Sequence, residues 1–219
     1  MCFSASASFI SGTALSVAGI ATLRLASRRA EIPFAAVPLL FGIQQLIEGM
    51  VWLSFREASQ LPNPALTFLY SLFSHVLWPM LLPFAIFLIE ADPWRRRALI
   101  ALQVAGAAVG LYLLYFLVEF PVTSRAIGGH IVYDTPHFYI TYVMVLYLLT
   151  TCMSGLFSSD PLIRWFGVFV FVAFWSAYAI HVATFVSMWC FFAAILSLMV
   201  YLYFRHIRRQ QPMRAIAVG

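Results

Sequence analysis

Seven stretches of almost unbroken apolar residues, separated by short polar segments, organise this chain: residues 4–23, 33–54, 65–89, 98–118, 137–157, 162–182 and 185–204. Each is close to the ~20 residues with which an α-helix crosses a ~30 Å hydrocarbon core. The pattern predicts an all-α polytopic membrane protein of seven transmembrane helices, forming a single bundle domain over residues 1–219. The stretch 162–204 has no proline and, in Gly167, a single glycine. As one helix it would reach ~65 Å, about twice the membrane thickness. A turn near His181 to Thr184 instead returns Arg164 and Arg205 to one side.

Composition adds the solvent. With 63% hydrophobic residues, a mean hydropathy of +0.92 and 10% charged residues, there is too little polar surface to cover a soluble globule. The cations are all arginine and their placement is one-sided. Arg24, Arg28, Arg29, Arg95, Arg96, Arg97, Arg164, Arg205, Arg208, Arg209 and Arg214 fall on one side of the seven runs, and only Arg56 and Arg125 on the other. The positive-inside rule then predicts an outside N-terminus, a cytoplasmic C-terminus and residence in the inner (cytoplasmic) membrane. Trp52, Trp94 and Trp165 near run ends fit interfacial anchors. The net charge of +5 thus reports topology and contact with anionic membrane lipid, with no nucleic-acid partner. Met1-Cys2-Phe3 lacks a cationic leader, so the first run reads as a retained helix.

Between the fourth and fifth runs, residues 119–136 carry Gly128-Gly129 between two β-prone segments, which predicts a small hairpin that is either a lid over the bundle or a plain connection. Gly106 and Gly110, and the Ser/Ala-rich start of the first run, are small-residue faces for close helix packing. Of the three cysteines, Cys2 and Cys190 map to the outer half and Cys152 to the inner half. A Cys2–Cys190 bridge and free thiols both remain open.

Against this apolar background one acid stands out. Glu48, in Gln44-Gln45-Leu46-Ile47-Glu48-Gly49, is the carboxylate that falls well inside a run, where an ionised group costs at least a few kcal/mol unless a partner or water accompanies it. Gln44 and Gln45 share its helix face, which favours an inward surface. Counted from the outer ends at ~1.5 Å per residue, Glu48 lies ~9 Å down, Cys190 ~8 Å, and Gln44 and His75 both ~15 Å, with His181 near the mouth. Pro79, four residues after His75, removes a helix hydrogen bond to the His75 carbonyl and predicts a kink there. The candidates for catalysis are Glu48 and His75. Those for ligand binding are Gln44, Gln45, Trp78, Tyr178, Trp189 and Cys2, the aromatic ones serving either a ligand cage or bundle packing. Those for a metal are His75, His181 and Cys190. His130, His137 and His206 read as solvated.

Met1-Cys2-Phe3-Ser4-Ala5, the Gln44–Gly49 segment and Ser187-Met188-Trp189-Cys190-Phe191-Phe192-Ala193-Ala194 together resemble the signature segments of a family of bacterial seven-helix integral membrane proteins of unknown function. That resemblance implies a membrane bundle and marks Cys2, Glu48, Trp189 and Cys190, without implying an activity. In helix number, orientation and Ser71-xxx-His75 the chain also looks somewhat like the alkaline-ceramidase and progestin-receptor-like intramembrane zinc hydrolases. Their two histidines four apart on the last helix have no counterpart here.

Two functions are consistent with these residues. One is a metal-dependent intramembrane hydrolase of a lipid-like substrate, in which zinc on His75, His181 and Cys190 activates water and Glu48 takes the proton. The spread of ~15 Å in depth opposes such convergence, since a tetrahedral site holds its donors ~2 Å from one ion. The other is a transporter, channel or sensor that uses the same groups as an outward vestibule or proton relay for a small molecule or proton. A structural subunit of a membrane complex, with Glu48 as packing glue, is the third reading.

Overall fold

In the computed structural model, residues 4–56, 59–135, 137, 138, 140–180 and 185–217 are described, with backbone alone for residues 178, 180, 185–187 and 210–217. About 80% of the chain is helical, and the one sheet among the described residues is a two-stranded hairpin. Every apolar run contains helix. Helix α1 is Ala5–Leu25, opened by the Ser4 hydroxyl accepting from the Ala7 amide. After a lead-in turn at Arg29–Glu31 and Ile32–Ala35 comes α2, Val37–Ser54. Helix α3 spans Asn63–Ile89, α4 Pro93–Glu119, α5 Thr141–Leu156, α6 Pro161–Ile180, α7 Phe185–Leu196 and α8 Leu198–Ala217. Among the described residues, five helical spans are long and apolar enough to cross a membrane, namely Ala5–Leu25, Arg29–Ser54, Asn63–Ile89, Pro93–Glu119 and Met188–Arg209, while Thr141–Leu156 and Pro161–Ala177 are shorter. A belt of exposed Ile10, Val17, Ile20, Val104, Leu111, Val118 and Val172 surrounds them, far more apolar surface than water tolerates.

Small residues bring the helices together as expected. A Cβ on Gly42 would lie 2.5 Å from the Ser16 hydroxyl, and one on Gly19 2.3 Å from the Leu39 amide, so α1 and α2 touch backbone to backbone. A Cβ on Gly106 would come within 2.0 Å of the Pro79 carbonyl oxygen, which seats α4 on α3. The turn expected between the sixth and seventh runs falls on residues 181–184, outside the described residues. Its consequence is visible, however, since the Trp189 indole donates to the Val170 carbonyl at 3.4 Å and α7 therefore doubles back along α6.

Strands β1 (Thr123–Ile127) and β2 (His130–Asp134) pair antiparallel. Gly128 and Gly129 both have positive φ, 57° and 79°, as the two central positions of a type I′ hairpin turn require. The hairpin is anchored inward. Thr67 and Ser124 share a hydroxyl contact of 2.7 Å, with Asn63 bonded to both, and Tyr133 stacks on Tyr70 at 4.3 Å. His137 is exposed, and its ring stacks on Phe116 at 3.7 Å.

At the arginine-bearing end, Glu90 fastens two connections. Its carboxylate accepts from the Ala91, Asp92 and Ser159 amides and the Ser159 hydroxyl. Burial alone would raise its pKa, but the bonds from Ser159, Asp92 and Ala91 outweigh it and hold the group below the usual 4.5. Trp94 and Trp165 are exposed there, as interfacial anchors are, whereas Trp52 is partly covered and packs against Phe55.

Candidate functional site

The second helix does what its polar triplet predicts. Gln44, Gln45 and Glu48 are all 0% exposed, because α2 turns this face away from the surface. The Gln45 amide donates to the Glu48 carboxylate at 3.3 Å, and the Ser11 hydroxyl of α1 donates to the other end of the same amide at 3.4 Å. Gln44 accepts at 2.7 Å from the indole of Trp78, whose ring stacks on Phe41 at 3.8 Å.

Helix α3 departs from its expected register. Leu72–Leu77 is a π-helical turn, an extra residue of winding that often marks functional positions. In π register the carbonyl of Ser74 would be served by the amide five residues on, which is Pro79 and has no N–H. The vacancy therefore falls on Ser74, one residue before the His75 carbonyl expected from α-helical counting. The Tyr147 hydroxyl of α5 fills it by donating to the Ser74 carbonyl. The same extra residue turns Trp78, in place of His75, towards Gln44.

His75 is buried and both ring nitrogens are engaged: Nδ1 with the Ser74 hydroxyl at 2.6 Å and Nε2 with the Thr135 hydroxyl at 3.0 Å. Phe138 covers the ring at 4.2 Å. The hairpin and the segment after it thus run down one side of α3, touching Thr67, Tyr70 and His75 in turn.

The seventh helix places Cys190 within electrostatic range of the Glu48 carboxylate. Its thiol is buried and free, and interacts with the side chains of Gln44, Glu48 and Tyr70. Tyr147 lies within electrostatic range of both Cys190 and Cys152, and its ring meets that of Trp189 edge-on at 5.5 Å. Beside them Phe41, Trp78, Leu82, Thr151, Phe166 and Cys190 line a crevice of about 10 Å³, room for about one water.

Of the proposed metal ligands, His181 lies outside the described residues, as does Cys2; of Tyr178 only the backbone is described. His75 has no idle ring nitrogen for a metal, and no group of three or more His, Cys, Asp or Glu side chains among the described residues is arranged to hold one. Tyr147, Ser74, Thr135 and Tyr70 belong to the cluster and were not singled out in the sequence. A tyrosine in an apolar run reads as packing, and a threonine after a hairpin carries no signal of depth.

The chain is therefore of the membrane-protein class, a helix bundle with a buried polar cluster where α2, α3, α5 and α7 meet. It belongs to the family of unknown function DUF6629, which it matches over residues 1–217. No curated protein and no solved structure matches it.

Proposed function

We propose that this is a multi-pass protein of the cytoplasmic membrane, seven-spanning with the N-terminus outside, and that it works as a proton-responsive sensor through its buried cluster. Glu48 is the titrating group and His75, behind the hairpin, the end facing outward. The carrying observation is two hydrogen-bonded series, Thr135 through His75 to the Ser74 hydroxyl, with Tyr147 on the Ser74 carbonyl, and Ser11 through Gln45 to Glu48, with Cys190 within electrostatic range of both Tyr147 and Glu48. The hydroxyl, imidazole and carboxyl groups at the ends of the two series can each donate and, in one protonation state or another, accept. A change of charge at Glu48 would be felt along such a series because the surroundings are apolar.

A sensor fits better than a channel. Thr150, Thr151 and Ser154, the hydroxyls below the cluster, are bonded to carbonyls of their own helix, so among the described residues these hydroxyls do not extend a polar series towards the arginine-bearing end. A lipid hydrolase would need room for its substrate at the cluster, and the crevice that Cys190 and Trp78 line there admits about one water.

The test is tryptophan fluorescence of the protein in lipid nanodiscs between pH 4 and 10, since Trp78 and Trp189 adjoin the cluster. A sigmoidal change that is lost in Glu48→Gln supports the sensor. An identical titration in the variant refutes it, and one stoichiometric zinc per purified chain would return the site to the hydrolase reading.

A further inference from the structure

Outside the cluster, a concavity lies between α3 and α4. It is a groove of about 450 Å³ lined by Leu72, Val76, Leu77, Met80, Leu81, Phe84 and Gln103. That volume is within the range of small-ligand sites. Its walls are long and branched side chains on the far side of the π-turn that carries His75. The Gln103 amide oxygen is buried and takes no hydrogen bond among the described residues, and buried acceptors are normally satisfied.

We infer that this groove is a binding site for one phospholipid with an anionic headgroup, its acyl chain lying along Val76, Met80 and Phe84 and its phosphate held at Arg96 and Arg97. The two ends of the groove carry the argument. Phe84 is one helical turn from Phe87, and Arg96 sits over the Phe87 ring at 4.2 Å while donating to the Phe87 and Glu90 carbonyls. Arg96 is seven residues before Gln103 and so lies below it on the same face of α4. Arg97, next to it, is exposed. The arginines at the start of α4 thus lie about two helical turns beyond Gln103, past the inner end of the groove, and basic pockets between transmembrane helices are suited to anionic lipid headgroups.

A second protein helix is the poorer occupant. Helices associate in membranes through small residues, and the small residues here, Gly106 and Gly110, are already used against Pro79 and Met80. What borders the groove is Leu, Met and Phe, which conform to a thin flexible chain. Gln103, midway, offers an acceptor to a lipid-borne hydroxyl or to a water entering with the chain.

The experiment is native mass spectrometry of the full-length protein taken from nanodiscs of phosphatidylglycerol or of phosphatidylcholine. One phosphatidylglycerol should survive on each chain after detergent exchange, with phosphatidylcholine held less firmly. Arg97→Ala, an exposed change that leaves the fold alone, should lower retention of phosphatidylglycerol about fivefold, the weight of one arginine beside an anionic surface. Leu81→Trp, which fills the groove, should lower retention of both lipids. Equal retention in wild type and both variants, or complete loss from the wild type at the first exchange, overturns the proposal. So does cross-linking of Leu81→Cys to a second copy of the chain in the membrane.

Discussion

His75 and Thr135, sixty residues apart in sequence, meet through a 3.0 Å contact between imidazole Nε2 and the threonine hydroxyl. This pairing ties the segment following the hairpin to the π-turn of α3 and closes the cluster on that side. Replacing Thr135 by the isosteric valine leaves the imidazole with an unmet bond in a buried place. A loss of about 1–3 kcal/mol is expected, seen as a fall in melting temperature of several degrees for a chain of this size. Thr135→Ser should retain the bond and most of the stability. Equal melting of the valine and serine variants would remove the pairing from any account of stability.

Tyr147 supplies the hydrogen bond that Pro79 denies to Ser74. Tyr147→Phe alone should destabilise by roughly 1–3 kcal/mol, because it orphans a buried carbonyl. Combined with Pro79→Ala, which restores a backbone N–H, the loss should shrink, giving a coupling of at least ~0.5 kcal/mol in a double-mutant cycle. Strict additivity would disprove the relationship.

Glu90 predicts the acid side of the stability profile. Its folded-state pKa lies below the ordinary 4.5, so its contribution is complete above about pH 4.5 and is lost as pH falls through the lower folded value. In detergent, melting temperatures of wild type and Glu90→Gln should differ by a constant amount near neutrality and converge below pH 4. A difference that grows on acidification would reverse the sign and reject the assignment.

Two glycines separate steric from conformational demands. Gly106→Ala drives a methyl to within 2.0 Å of the Pro79 carbonyl, and overpacking against backbone of this kind costs about 1–3 kcal/mol or more. Gly128→Ala meets nothing within 4 Å but has φ +57°, a left-handed conformation that costs a non-glycine residue about 1 kcal/mol. Thermal unfolding should therefore rank Gly106→Ala below Gly128→Ala, and the opposite order would contradict the tight α3–α4 contact.

Much of this molecule can be read along the chain, because a helix in hydrocarbon must satisfy its own backbone and so shows itself as an uninterrupted apolar run. The inward face of Gln44, Gln45 and Glu48, the Gly128-Gly129 turn and the small-residue contacts of α1 and α4 were legible for the same reason: spacing on one element decides them. The pairing partners were not. Depth along ideal helices put Gln44 level with His75, but a π-turn adds a residue, rotates everything after it and hands Gln44 to Trp78.

The sequence by itself determined a membrane-type helical chain with an acid buried on its second helix, since composition and periodicity depend only on local order. Tertiary structure alone decided which groups from other elements surround that acid. Tyr147, Thr135 and Cys190 reach the cluster through helix register, the path of the hairpin and the reversal between α6 and α7, and each depends on packing between residues far apart in the chain.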